Sequence, residues 1–496
     1  MQRWIRVPFA LLVMGTLLSP AFAQDRNRIQ IENEKEGTTD WLLTKFTPPG
    51  PVPSRYAPVG EPYDEGWRRR TEVEGYASRT SVKPGETIGF HISTDPASEF
   101  TLDIYRMGYY GGKGGRLMKS YKMQGSPQPT PTDGENNLIE CQWDETISLE
   151  IPEDWVSGVY LGKLSTPNVT DEAYLVFIVR DDRKADLMFQ CSDMTWLSYN
   201  RWPKWRSLYD KDGNPWGAGG RRIGYDVSFD KPYAIYWNGF PASYQPLTNG
   251  SGEFLMVEFP LAYWLEKEGY DVTYISNVDT HADGDGLQRA KVFLSVGHDE
   301  YWTKEMFENV EKARDAGVSL AFLSGNSVSG EVDLLPSTDG RPNRIMRRVG
   351  GLPGEEELMG ATSYGVGFND WTCNMPDHWI FEGTGMKEGD RVEQLVGWEY
   401  HGPPLREDED LVVLSTGPVF GWRGEARDRT YATTLYEAEK GNLVFNAGTC
   451  WWNMVLSTPP GFMSPPKRYF LEDDPRIQRI TSNLLNRMIE IDPRED

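Results

Sequence analysis

Cysteine is scarce in this chain. Only Cys141, Cys191, Cys373 and Cys450 occur in 496 residues, too few for a disulfide scaffold, and their spacing does not choose among the possible pairings. None forms a C-x-x-C pair or sits in a nucleophile elbow, so a zinc cluster or thiol catalysis lacks support and buried free thiols are the plain reading. A G-x-S-x-G elbow is also missing. Gly325-Asn326-Ser327-Val328-Ser329-Gly330 comes nearest and lacks the spacing, which argues against serine hydrolase chemistry. Neither kind of glycine-rich phosphate loop is present, so nothing points to nucleotide use. Positive charge is short: 51 Lys and Arg stand against 74 Asp and Glu, and the net −23 repels nucleic acid and anionic membranes. After the first residues no apolar run approaches the roughly 18 needed to span a bilayer.

What is present reads as a secreted, ordinary globular chain. Arg3 and Arg6, the apolar run from Phe9 to Leu18 and Ala21-Phe22-Ala23 have the form of a secretory leader cleaved near Ala23, which predicts a periplasmic or secreted protein. Residues 24–70 carry Pro48, Pro49, Pro51, Pro53, Pro58 and Pro62 without periodicity and read as an arm or linker. From 71 to 181, short runs rich in β-branched and aromatic residues alternate with turn signals such as Lys83-Pro84-Gly85. That rhythm predicts an immunoglobulin-like β-sandwich. Its Arg106 to Gly112 stretch joins aromatics to glycines, as a loop meeting a ligand or the next domain would.

Past the charged boundary Asp181 to Lys184, the pattern turns α/β over residues 185–491. Strands are predicted at Ala185 to Gln190, Asp271 to Ser276, Val292 to Val296 and Val318 to Ser324, with a helix over Glu253 to Lys267 and a closing helix from Pro475 to Ile489. Strands alternating with helices, each strand ending in polar residues, predict a doubly wound sheet with its site on the carboxyl edge. A long insertion from Met194 to about Gly252 holds Trp196, Trp202, Trp205, Trp216 and Trp237 and reads equally as a lid or as a hydrophobic plug. Strands beyond 330, from Val392 on, extend the sheet or form an antiparallel appendage.

The stretch Val296-Gly297-His298-Asp299-Glu300-Tyr301-Trp302 carries the chemistry. A buried strand breaks at a glycine into four groups able to titrate, donate or bind a metal, before Thr303 caps a helix. Of the five histidines, His281, His298, His378 and His401 lie in the α/β half, and Glu399 ends a second apolar run beside Trp398 and Tyr400. Carboxylate, phenol and imidazole suit acid and base work or a hard metal ion. Here His298 and Glu300 are the candidate catalytic groups, and Asn326, Asp193 and His401, at or near other strand ends, the candidate substrate contacts. Abundant aromatics also fit stacking on sugars.

Several blocks together resemble the N,N-dimethylformamidase large (beta) subunit and the bacterial proteins sharing its C-terminal domain: G-Y-A-S-R-T-S-V-K-P-G, Y-R-M-G-Y-Y-G-G, W-L-E-K-E-G-Y-D-V-T-Y, V-G-H-D-E-Y-W and V-G-W-E-Y. The resemblance implies a class I glutamine amidotransferase-like domain without its cysteine nucleophile. It further implies a mononuclear iron held by two tyrosines and a glutamate, which activates water against a small amide. Carried to this chain, the ligands are Tyr301, Glu399 with Glu382 as rival, and either Tyr263 or Tyr274, with His298 or Glu300 moving the proton. The resulting expectation is an exported metal-dependent amidohydrolase, acting on a small-molecule amide, with a homo-oligomer or small partner subunit possible. Its rival is a carbohydrate-binding or envelope interaction protein that takes a glycan.

Overall fold

In a computed structural model, residues 26–46, 72–167, 169–203, 207–208, 226–235, 246–405, 410–421, 424–462 and 471–494 are described. The leader, most of the proline-rich arm, and Trp205, Trp216 and Trp237 of the insertion lie outside them.

The first half builds a β-sandwich. Three antiparallel strands, Glu74–Ala77, Thr87–Ser93 and Ile147–Glu150, face a five-stranded sheet made of Ser81–Val82, Ala173–Val179, Gly158–Ser165, Glu99–Met107 and Gly115–Gln124. Phe90 and Ile92 from one layer meet Leu102, Ile104 and Phe177 from the other in a shared core, as alternation along a half-buried strand requires. The edge strand Gly115–Gln124 was not expected from sequence, because most of its side chains are exposed and no apolar alternation marks it.

Part of the predicted arm is structured. Asn27 and Gln30 form a reciprocal capping box that starts a short helix, Arg28–Asn33, and Trp41 nearby is fully buried. Six residues give too little periodicity to see in a sequence.

The second half holds a seven-stranded sheet in the order Val272–Ser276, Ala185–Cys191, Ala290–Gly297, Ser319–Ser324, Leu443–Asn446, Ala426–Glu437, Val412–Phe420. The first five strands run parallel, and the last two extend the sheet antiparallel. Both alternatives for the later strands are thus realised. Along the parallel strands successive residues enter opposite cores. Leu187, Val292, Leu294 and Leu323 pack under the helices Phe259–Glu268 and Pro475–Glu490, while Met188, Phe293, Leu320 and Phe322 pack under Lys304–Asp315 and Asp193–Tyr199. Helices therefore cover both faces. The chain's first parallel strand, Ala185–Cys191, lies between its second and third, so connections leave it and Ala290–Gly297 in opposite directions, and such a switch point opens a crevice at the strand ends.

Small corrections follow at those ends. The polar residues after Val272–Ser276 form a helix, Asn277–Ala282, capped by Ser276 and Asp279, and the insertion begins as the helix Asp193–Tyr199. The expected helix from Glu253 opens as a π-turn, Phe254–Glu258, before the α-helix that Gly269 ends in the left-handed region. Among the described residues no helix is long and apolar enough to cross a membrane.

Candidate functional site

Gly297 leaves its strand at φ 73°, a conformation that side chains resist, and this turn lifts His298 out of the sheet at the switch point. A second strand end brings Glu399 to it. The two meet with His298 Nε2 2.7 Å from Glu399 Oε2, and Glu300 Oε2 lies 3.4 Å from the same nitrogen. The ligand atoms of His298, Glu300 and Glu399 all fall within 4.8 Å of one another. On the far side of the ring, His298 Nδ1 is 3.6 Å from Glu253 Oε2, an ion-pair contact too long for a hydrogen bond.

His298 is wholly buried, yet neither ring nitrogen makes a directed hydrogen bond. Burial alone would push its pKa down. The Glu399 carboxylate outweighs this, with Cys450, Glu253 and Glu300 adding to it, and holds the imidazole well above its ordinary value. Tyr199 and Trp398 wall the ring, at centroid distances of 5.4 and 5.0 Å. Access remains at the acids, since Glu300 is 7% and Glu399 9% exposed.

Each acid is held from behind. The Tyr199 hydroxyl donates to Glu300 Oε2 at 2.6 Å, and Asn326 Nδ2 donates to Glu399 Oε2 at 3.0 Å. Asn326 sits at φ 53° and Val328 at φ 60° in the turn after Ser319–Ser324, so the backbone there is strained to present the amide. Asp299, between the site residues, faces inward. It accepts from Gln190, Asn277 and Ser295, and burial still pushes its pKa up to about 6.

The residues picked from sequence divide by place. His298, Glu300 and Glu399 converge, and Asn326 joins them as a support for Glu399. His401 does not face a ligand: fully buried, it accepts the Ser327 amide at Nε2 and donates from Nδ1 to Asn446, so it stays neutral, burial pushing its pKa down to about 4. Its role is to pin the Asn326 turn. Asp193 also lies apart, accepting the Asn277 amide and lining a cavity against the sandwich with Tyr76, Trp196 and Lys231.

Tyr263 is placed at the junction with the sandwich. Its ring packs on Tyr109 and Phe259 where the sandwich loop meets the helix. Tyr274 is committed to Glu266 at 3.0 Å, and Glu382 is exposed. Tyr301 is buried in the core with its ring against Gly330, on the short strand Tyr301–Trp302 that starts just after Glu300. The converging donor atoms of His298, Glu300 and Glu399 are one imidazole nitrogen and two carboxylate oxygens. His281 bonds Thr303, and His378 caps Trp379–Phe381.

Sequence reasoning missed Tyr199 and Glu253. Tyr199 lies in the insertion, where aromatic density drew attention to tryptophans, and Glu253 opens the helix predicted just after it, where no periodicity marks a single polar residue. The described tryptophans of that segment are structural, Trp196 donating to Glu258 and Trp202 to Glu74. All four cysteines are free and buried, and the Cys450 thiol donates to the Gly325 carbonyl while burial raises its pKa, which suits no nucleophile.

A family model described as N,N-dimethylformamidase beta subunit-like, C-terminal, matches residues 101–465. No curated protein matches the chain.

Proposed function

The chain belongs to the family described as N,N-dimethylformamidase beta subunit-like, C-terminal, and from that premise and the strand-end cluster we propose that it is a metal-dependent hydrolase of amides or related C–N bonds. One observation carries the reading: three ligand atoms from His298, Glu300 and Glu399 converge in a buried cluster whose imidazole has no directed hydrogen bond of its own. Bringing two carboxylates together inside a protein is unfavourable unless protons or a cation compensate them.

Imidazole with two carboxylates suits a ferrous, zinc or manganese ion better than the phenolate-bound iron that the sequence resemblance implied. Such an ion supplies Lewis acidity, which polarises an amide carbonyl and makes water easier to deprotonate. Around it, Tyr199 and Asn326 fix the two carboxylates, Glu253 faces the outer nitrogen of His298, and Trp398 excludes water from one side. Glu300, the acid already bonded to a phenol, is suited to pass a proton between nucleophile and leaving amine, with Tyr199 as its donor.

The sandwich and the switched parallel sheet support an immunoglobulin-like domain followed by a class I glutamine amidotransferase-like one. The words "beta subunit" in the family description support a partner subunit or further copy. Export after cleavage near Ala23 completes the proposal. Elemental analysis of the purified full chain, paired with hydrolysis assays on N,N-dimethylformamide and larger amides, tests it: about one transition-metal ion per chain and metal-dependent release of amine are expected. A metal-free protein that stays inactive when divalent iron, zinc and manganese are supplied would overturn it.

A further inference from the structure

On the other face of the strand that supplies Glu399 lies a second polar cluster with a different character. The strand Ala426–Glu437 carries Arg427 and Arg429 two residues apart, at a bulge where Val419 pairs with Arg427 and Pro418 with Thr430. The guanidinium carbon of Arg429 lies 4.0 Å above the ring of Tyr364, which is paired across the sheet with Tyr400, and the two tyrosine rings are 5.6 Å apart.

This cluster is rich in donors and poor in acceptors. Tyr400 is 0% exposed and its hydroxyl has no hydrogen-bond partner; Arg427 Nε is likewise buried and unbonded. Among the described residues, no carboxylate pairs with Arg427 or Arg429, although acids outnumber bases by 74 to 51 along the chain. Two cations and a phenol left unpaired in a chain of excess negative charge are complementary to a ligand that only accepts.

We propose that Arg427, Arg429, Tyr364 and Tyr400 form an anion-binding site for a carboxylate or other anionic oxygen group. Planar guanidinium forks match carboxylate oxygens, and the buried phenol gives a third donor. Tyr400 follows Glu399 directly, but on an extended strand the two side chains point to opposite faces, so an anion held here need not touch the His298 cluster. The site stands whether or not the hydrolase reading does.

The test uses the full chain at constant ionic strength, titrated with ¹³C-acetate and, separately, inorganic phosphate, each followed by NMR line broadening with chloride as counter-titrant. Saturable broadening by either anion is expected; acetate alone assigns carboxylate, phosphate alone a phosphoryl oxygen. Arg427→Gln and Arg429→Gln should each weaken binding roughly tenfold or more, while His298→Ala should leave it unchanged. Should an arginine variant fail to fold, Tyr400→Phe decides, since it keeps the ring and removes only the donor: weaker binding supports the site. No saturable broadening by either anion, binding untouched by these changes, or binding lost with His298→Ala would overturn it.

Discussion

Glu399 Oε2 stands 2.7 Å from His298 Nε2, although the two come from separate strand ends of the α/β half. The contact joins the two segments that the proposed metal must bridge. Glu399→Gln keeps the shape of the side chain and removes its charge, so metal per chain should fall well below that of the parent and amide hydrolysis should fall with it. Elemental analysis beside circular dichroism separates loss of metal from loss of fold. Full metal content in Glu399→Gln would remove this residue from the ligand set.

Asn326 acts one step further out. Its amide orients the Glu399 oxygen that faces His298, and residues in that position typically contribute 10- to 100-fold to metal affinity. Asn326→Ala should therefore weaken metal binding by about that factor, measured by competition with a chelator, while the protein remains folded. An unchanged affinity would show that the turn alone fixes Glu399.

At Gly325 the supporting turn packs directly on the backbone that carries Glu399. A Cβ there would lie 2.4 Å from the Glu399 carbonyl oxygen and 2.6 Å from the Cys450 amide, both backbone atoms that cannot swing aside. Gly325→Ala must push the two segments apart. Overpacking of this kind costs about 1–3 kcal/mol, and because the displaced backbone carries Glu399, metal affinity should drop together with stability in denaturant titrations. Stability lost without any change in affinity would sink the coupling.

The sequence reveals strands and switch-point edge because buried parallel strands leave continuous apolar runs, and Val292 to Val296 followed by Gly297 and His298 is such a signal. His298, Glu300 and Glu399 could be read from that pattern. His401 could not be separated from them, since an internal bond to Ser327 and Asn446 leaves no local mark. Tyr263 came from the resemblance, and its packing against Tyr109 depends on where the sandwich docks, which periodicity does not encode. Tyr199 and Glu253 were invisible because their partners lie far along the chain.

Asp474 caps the closing helix and offers a pH-resolved test. Its carboxylate accepts the Arg476 amide at 2.8 Å and the Arg476 guanidinium at 2.6 Å. Partial burial raises its pKa, but the Arg476 contacts outweigh this and hold it below 3.8. A depressed carboxylate stabilises the fold above its unfolded pKa, and that contribution disappears as pH falls through the lower folded value. Asp474→Ala should cost about 1 kcal/mol at pH 7, as lost helix caps do. The gap between parent and variant in urea melts should narrow on acidification below pH ~4, and a gap that widened would reverse the assignment.

Arg106 and Glu266 tie the sandwich to the α/β domain through a forked pair at 2.8 and 3.1 Å, and both side chains are fully buried. The Tyr274 hydroxyl also donates to Glu266, and Arg106 further bonds the Ser157 carbonyl, so both charges are fully engaged. Removing one partner leaves the other charged and unpaired out of water, at a cost of about 3–5 kcal/mol. Arg106→Met alone should be strongly destabilising, while Arg106→Met with Glu266→Leu should recover much of the loss, because neither charge of the pair is then left buried without the other. A double-mutant cycle in urea measures the coupling directly. Additive losses would mean that the pair is only a contact between two independently packed side chains, and that the junction is held instead by its apolar surroundings.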